Sequence, residues 1–138
     1  MRKILVVDDD DLVRLSVTAI LAATGYEVVE AKDGLEALRI YKKLGNKIAL
    51  VIMDISMPCM DGISATQIIK ETDPSAKVIL MSGYSEQLPS DAKADTFLPK
   101  PFRSKDLLRT IQQVLRDATL FDLVIKDDIQ VQNHSLKM

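Results

Sequence analysis

Three short apolar runs of this chain are each followed by charged residues: Asp8, Asp9 and Asp10 come after the first, Asp54 after the second and Lys100 after the third. Apolar runs of this length are typical of strands that are buried on both faces of a parallel sheet. Because the carboxyl ends of parallel strands share one edge of the sheet, we expect these charges to lie together there. Clustered carboxylates do not all stay ionised without a cation, since each one disfavours the charge of the next. The residues therefore predict a reactive site that binds a cation.

A regular alternation of strand and helix patterns would bring these residues to one edge. Five strands are predicted, at 3–7, 27–31, 49–53, 77–81 and 96–98. Amphipathic helices are predicted at about 11–23, from Asp33 to Gly45, after Asp61 and from 104 to 118. Asp33 and Asp61 are predicted to be the N-caps of the second and third helices. A short or irregular helix is expected within 86–95, because that segment contains a proline and little apolar periodicity.

Short connections between these units predict an α/β fold with helices on both faces of one parallel sheet. We expect the flavodoxin-like, doubly wound, five-stranded order 2-1-3-4-5 with about five helices. Its ligand crevice lies between strands one and three. Those two strands deliver Asp8, Asp9 and Asp54 to the crevice. Ser82 and Lys100 arrive from strands four and five, so every candidate reaches the same edge from a strand end.

The composition limits the class of protein. A length of 138 residues, 47% of them hydrophobic, fits one domain with a sizeable core. The net charge of −2 argues against a basic nucleic-acid surface. Cys59 is the only cysteine, which suits a reducing compartment, and no apolar run reaches the about 18 residues of a membrane span. We expect a cytoplasmic protein that binds neither nucleic acid nor membrane.

Four motifs resemble the receiver domain of two-component response regulators. They are ILVVDDD at 4–10, VIMDISMPCMDG at 51–62, MSG at 81–83 and FLPKPF at 97–102. Each motif alone is moderate evidence, but all four stand in the order and at the spacing of that family. The resemblance spans residues 3–118.

The resemblance implies a role for each acid at the predicted edge. Asp54 is similar to the aspartate that accepts a phosphoryl group, and it also contributes to the metal site. Asp9 resembles the direct Mg²⁺ ligand and Asp8 the ligand that acts mostly through water, while the backbone carbonyl of Ser56 would supply a further oxygen. Mg²⁺ prefers oxygen ligands in an octahedron and accepts phosphate among them, so this ligand set is chemically reasonable.

Three further residues resemble those with which the family contacts the phosphoryl group or responds to it. Lys100 is similar to the lysine that grips it, and Ser82 to the hydroxyl that moves toward it. Phe97 takes the place of the switch aromatic residue. The resemblance therefore implies a signalling module of a phosphorelay, with no enzymatic activity beyond self-phosphorylation and autodephosphorylation at Asp54. His134 lies in a polar tail, so the phosphohistidine donor would be a separate sensor histidine kinase or histidine phosphotransfer protein.

Two other functions remain open at this point. A haloacid-dehalogenase-type phosphatase also uses a strand-end aspartate and Mg²⁺, but usually carries a second acid where this chain has Ser56. A pseudo-receiver would bind partners without being phosphorylated. The retained site residues argue against this last alternative.

The sequence divides into a receiver domain at 1–119 and a C-terminal extension at 120–138. The extension is apolar at first, and its spacing fits either a continued helix or a strand. In either form its exposed apolar surface would suit a partner or a homodimer, and the alternative is a flexible tail. The downstream target is not specified by the sequence.

Overall fold

The computed structural model describes residues 2–83 and 92–116, which form a five-stranded sheet covered by helices on both faces. The strands are β1 (Lys3–Val7), β2 (Glu27–Ala31), β3 (Ile48–Asp54), β4 (Val78–Ser82) and β5 (Thr96–Pro99). The α-helices in these two stretches are α1 (Asp11–Leu21), α2 (Gly34–Leu44), α3 (Gly62–Thr72) and α4 (Ser104–Leu115). All strands pair in parallel in the order β2-β1-β3-β4-β5. The predicted fold class is confirmed.

Alternate residues of the central strands fill two separate cores. Leu5 and Val7 of β1 face α2 and α3, whereas Ile4 and Val6 face α1 and α4. This follows from the period of two along a strand, which sends neighbouring side chains to opposite faces. Every residue of β3 is buried. Full burial of one such aliphatic side chain contributes about 1.5–3 kcal/mol, so the central strands anchor the edge where the charged residues lie.

Aspartates cap the first turns of α1, α2 and α3. The Asp33 carboxylate accepts a hydrogen bond from the Glu36 N–H at 2.8 Å, and that of Asp61 accepts one from the Ser64 N–H at 2.7 Å. Asp10 accepts bonds from two N–H groups in the first turn of α1. Caps of this kind contribute about 1 kcal/mol each. The predicted capping roles of Asp33 and Asp61 are confirmed.

The chain differs from the predicted element bounds at its helix ends. The α-helical part of α1 stops at Leu21, and a 3₁₀ turn at Ala22–Thr24 leads into Gly25, whose φ is +83°. The last helix was predicted to reach residue 118, but α4 ends at Leu115, and Arg116 has a left-handed φ of 54°. Of the segment predicted as a short helix, residues 92–95 have no regular secondary structure. Its remainder, and the extension at 120–138, lie outside the described residues.

Among the helices at 2–83 and 92–116, none has the length and apolar character needed to cross a membrane.

Candidate functional site

Three carboxylates meet at the carboxyl edge of the sheet, between β1 and β3. Val7 pairs with Met53, so the residues that come next, Asp8 and Asp54, emerge side by side. Asp8, Asp9 and Asp54 each offer a carboxylate oxygen, and these oxygens all lie within 4.8 Å of one another. Asp8 is 1% exposed and Asp54 7%, whereas Asp9 is open to solvent. The sheet therefore holds two buried acids and one accessible acid at a single point.

Lys100 reaches this cluster from the end of β5. Its Nζ atom lies 3.1 Å from Oδ2 of Asp8 and 3.0 Å from Oδ1 of Asp54. Its backbone N–H donates to the carbonyl of Ser82 at 2.8 Å, and the peptide bond to Pro101 is cis. Burial disfavours the ammonium, but hydrogen bonds to Asp54 and Asp8 outweigh it and raise the pKa of Lys100. The lysine is therefore charged at neutral pH and bridges the two buried acids.

The other predicted site residues lie on β4, on the connection from β3 to α3 and on β5. Ser82 is the last residue of β4, 5% exposed, and is linked to Lys100 through its carbonyl. Ser56 is exposed in the connection from β3 to α3, two residues after Asp54. Phe97 lies within β5, half-buried against the core that faces α2 and α3. The roles given to Ser56, Ser82 and Phe97 stay predictions.

Gly62, to which the sequence reading gave no role, fixes the connection that follows Asp54. Its N–H donates to the carbonyl of Ile55 at 2.8 Å, and the Ile55 N–H donates to Met81 at 3.2 Å. The backbone just beyond the end of β3 is thus hydrogen-bonded to both α3 and β4. A glycine after a helix-capping aspartate only weakly predicts such a backbone contact, because glycine is common in any turn.

Arg14 of α1 is the second residue to which the sequence reading gave no role. Its guanidinium donates to the backbone carbonyl of Asp8 at 2.6 Å and pairs with Glu30 of β2 at 3.4 Å. It also pairs with Asp11, one turn earlier in the helix. The spacing from Asp11 indicated only an ordinary pair on a helix surface.

The cluster suits a hard divalent cation. Three carboxylates beside one ammonium give the cluster a formal charge of −2. The ligand atoms that the cluster offers are all carboxylate oxygens, which Mg²⁺ and Ca²⁺ prefer over nitrogen or sulfur. Asp8, Asp9 and Asp54 therefore fit the ion predicted from the sequence.

Comparison with known sequences identifies a family. The sequence model described as the response regulator receiver domain matches residues 4–112. The sensor kinase CckA of Brucella abortus is 42% identical over 117 residues, which cover 81% of this chain but 12% of that kinase. The chemotaxis protein CheY of Treponema pallidum is 40% identical over 119 residues, 83% of each chain. The chain thus spans a small part of the kinase and most of the chemotaxis protein.

Solved structures have the same fold. A receiver domain protein from Clostridium thermocellum superposes with a TM-score of 0.78 at 30% identity, over 88% of this chain and 99% of the other. TrrA of Thermotoga maritima, solved in complex with Mg²⁺ and BeF, gives 0.76 at 34% identity, over 83% of this chain and 100% of the other. Receiver domains bind Mg²⁺ at an acidic pocket and act as signalling modules. The chain belongs to the family of response regulator receiver domains.

Proposed function

We propose that Asp54 accepts a phosphoryl group from a phosphohistidine of a separate protein, with Mg²⁺ bound beside it, and that this switches the conformation of the domain. The observation that carries the proposal is the convergence of Asp8, Asp9 and Asp54 within 4.8 Å, beside the ammonium of Lys100. A carboxylate that attacks a phosphoryl group meets strong charge repulsion, and this arrangement counters it from two sides.

The acids would prepare the site before the transfer. Asp8, Asp9, Asp54 and the carbonyl of Ser56 would hold Mg²⁺, which would neutralise charge and polarise the transferring group. Burial of Asp8 and Asp54 keeps their carboxylates in one orientation and keeps bulk water away from them. The accessible Asp9 leaves one side of the site open to the incoming donor.

In the transfer step, an oxygen of Asp54 bonds to phosphorus while the phosphorus–nitrogen bond of the phosphohistidine breaks. The imidazole nitrogen keeps the electron pair of that bond, and Asp54 becomes an acyl phosphate. Lys100, already 3.0 Å from Oδ1 of Asp54, then turns its ammonium to a phosphoryl oxygen. The reaction needs positioning and charge stabilisation more than covalent help from other side chains.

The new group carries about −1.5 to −2 charges, by analogy with other phosphorylated side chains. Ser82, at the end of β4, would donate its hydroxyl to a phosphoryl oxygen. Phe97 would follow by turning inward from β5, a local charge change that biases a two-state element. A shift from mostly inactive to mostly active needs about 5.5 kcal/mol of differential stabilisation.

A sensor histidine kinase or a histidine phosphotransfer protein is the proposed donor. Support comes from the similarity to the sensor kinase CckA, and a CheY of Borrelia burgdorferi was solved in a complex with CheX, BeF₃ and Mg²⁺. We propose self-phosphorylation and autodephosphorylation at Asp54 as the only reactions of the chain. The phosphatase alternative lacks its second acid, because that position is Ser56.

The test is incubation with acetyl phosphate and Mg²⁺, followed by intact-protein mass measurement. We expect one added phosphoryl group, no addition in excess EDTA, and none in Asp54→Asn. Phosphate gain by Asp54→Asn would refute the assignment of Asp54. Failure of the wild-type chain to bind Mg²⁺ would favour a pseudo-receiver instead, and steady turnover of a small phosphomonoester would favour a phosphatase.

A further inference from the structure

Arg14 connects the backbone of the acidic pair to two other elements of the fold. From α1, its guanidinium donates to the carbonyl oxygen of Asp8 at 2.6 Å. Its Nε atom lies 3.4 Å from Oε1 of Glu30 at the end of β2, and the side chain is only 11% exposed. With Asp11 as a third partner, the guanidinium is held from several directions. An arginine held in this way is a rigid fork, because its donors are fixed in one plane.

The carbonyl that Arg14 holds belongs to the peptide between Asp8 and Asp9. The orientation of this peptide sets the direction in which the Asp9 side chain leaves the backbone. The neighbouring groups are also tied, since the Asp8 N–H donates to Ala31 at 3.2 Å and the Asp10 N–H donates to the Asp8 carboxylate at 2.9 Å. Arg14 thus holds the one carbonyl in this turn that lies directly between two of the candidate metal ligands.

We infer that Arg14 is a positioning residue that sets the Mg²⁺ affinity of the acidic site by fixing the Asp8–Asp9 peptide. A guanidinium has no acceptor atom that could ligate the ion, so Arg14 would act through the Asp8–Asp9 peptide. The inference rests on the proposed function, which supplies the ion. Residues that orient metal ligands without contacting the metal alter affinity by about 10–100-fold when they are removed.

The positive charge of Arg14 would by itself lower the Mg²⁺ affinity, whereas fixing the Asp8–Asp9 peptide would raise it. Arg14 is a cation close to an anionic cluster, so its field weakens the attraction of Mg²⁺. If Arg14 acted only through its charge, Arg14→Met would bind Mg²⁺ more tightly and Arg14→Lys would bind it as the wild type does. If it acts by position, both variants bind more weakly, because lysine keeps the charge but not the fork. The sign of the change therefore separates the two roles.

The experiment is calorimetric titration of the full-length, metal-free chain with Mg²⁺. We expect Arg14→Met to raise the Kd by about tenfold, with Arg14→Lys between it and the wild type. Lys3→Met is the matched control, since Lys3 pairs with Glu27 at 2.6 Å at the opposite end of the same two strands. That control removes the same charge and should leave the Kd within about twofold of the wild type.

Two further readouts separate positioning from general loss of structure. Amide exchange of Asp8 and Asp10 in metal-free Arg14→Met should speed up, while exchange in the core of β3 stays slow. With acetyl phosphate, the Mg²⁺ concentration that gives half the maximal rate should rise, and the rate at saturating Mg²⁺ should change little.

Unchanged or tighter Mg²⁺ binding by Arg14→Lys and Arg14→Met would overturn the inference. If Arg14→Met does not fold, Arg14→Lys decides the question, because it preserves charge and most of the side-chain volume. Failure of the wild-type chain to bind Mg²⁺ would instead overturn the proposed function. In that case the exchange rates of the metal-free protein still test whether Arg14 fixes the turn.

Discussion

A β-carbon added to Gly62 would lie 2.2 Å from the backbone carbonyl oxygen of Asp54. The added β-carbon would also lie 3.0 Å from the carbonyl carbon of Asp54 and 3.1 Å from the Cα atom of Ile55. Gly62 is the first residue of α3, so the helix begins in direct contact with the strand end that carries the candidate phosphoryl acceptor. No side chain fits between them, which couples the position of α3 to that of the Asp54 backbone.

Gly62→Ala should therefore damage both stability and the site. The contact is with backbone, which has no rotamer that would relieve it, so either α3 or the end of β3 must move. We expect a loss of about 2–3 kcal/mol in the free energy of unfolding, at the upper end for overpacking. Phosphorylation of Asp54 by acetyl phosphate should slow as well. Urea denaturation and intact-protein mass measurement check the two effects.

Gly25→Ala is the matched control for that variant. Its added carbon meets nothing within 4 Å, but its left-handed φ of +83° is unfavourable for alanine. We expect a loss of about 1 kcal/mol without any change at Asp54. Equal phosphorylation rates in Gly62→Ala and the wild type would contradict the coupling of α3 to the site.

Lys100→Met should make stability strongly dependent on Mg²⁺. Removal of the ammonium leaves Asp8 and Asp54, both nearly buried, without a cation at 3.1 and 3.0 Å. Breaking a buried ion pair costs about 3–5 kcal/mol; because Lys100 is 26% exposed, we expect about 2–3 kcal/mol for the metal-free protein. Mg²⁺ should then stabilise the variant more than it stabilises the wild type.

Urea denaturation with and without Mg²⁺ measures that difference. Lys70→Met is the control, since Lys70 pairs with Asp95 at 2.7 Å, away from the cluster. Lys70→Met should be less stable than the wild type, but Mg²⁺ should raise the free energy of unfolding of both proteins by the same amount. An equal Mg²⁺ increment in Lys100→Met and the wild type would argue against a metal site beside Lys100.

The sequence was sufficient to predict which strand ends meet. Buried runs such as 50–53 are typical of parallel strands, and the positions of Asp8, Asp54 and Lys100 then follow from topology. The contacts of Gly62 and Arg14 were beyond such reasoning. Each depends on an atomic distance between a helix and the end of a neighbouring strand, whereas sequence patterns report periodicity and local turn chemistry.

Helix ends show the same division between local pattern and tertiary structure. The apolar spacing of the last helix continues through Val114 to Ala118, which predicted a helix to residue 118. The α-helix instead ends at Leu115, where Arg116 adopts a left-handed conformation that arginine rarely favours. By contrast, Asp33 and Asp61 were predictable because a cap acts within its own first turn.

Asp73 should make the domain sensitive to acid. Hydrogen bonds from Ser75 and from Tyr41, whose hydroxyl lies 2.7 Å from Oδ2, lower the pKa of Asp73 below its ordinary value of 3.8. A lowered pKa in the folded state gives stability that is complete above the unfolded-state value and is lost as pH falls through the folded-state value. The stability that Asp73 contributes should therefore be lost below about pH 4.

Asp73→Asn should be less stable than the wild type at pH 6, with a smaller deficit at pH 3, as measured by urea denaturation. Tyr41→Phe removes one donor to the carboxylate, and we expect it to cost about 1–2 kcal/mol at pH 6. A deficit of Asp73→Asn that grows as pH falls would contradict the direction of this pKa shift.

Cys59→Gly should stabilise the connection between β3 and α3. Cys59 has a φ of +69°, a left-handed conformation that costs a side chain with a β-carbon about 1–2 kcal/mol relative to glycine. Its side chain is exposed, so few contacts are lost on its removal. Part of the gain is offset because glycine makes the unfolded chain more flexible, which leaves a net increase of about 0.5–1 kcal/mol. The urea midpoint should rise at an unchanged slope. Cys59→Ala keeps the β-carbon and should show no such rise, and a lower midpoint for Cys59→Gly than for Cys59→Ala would show that the backbone here is not strained.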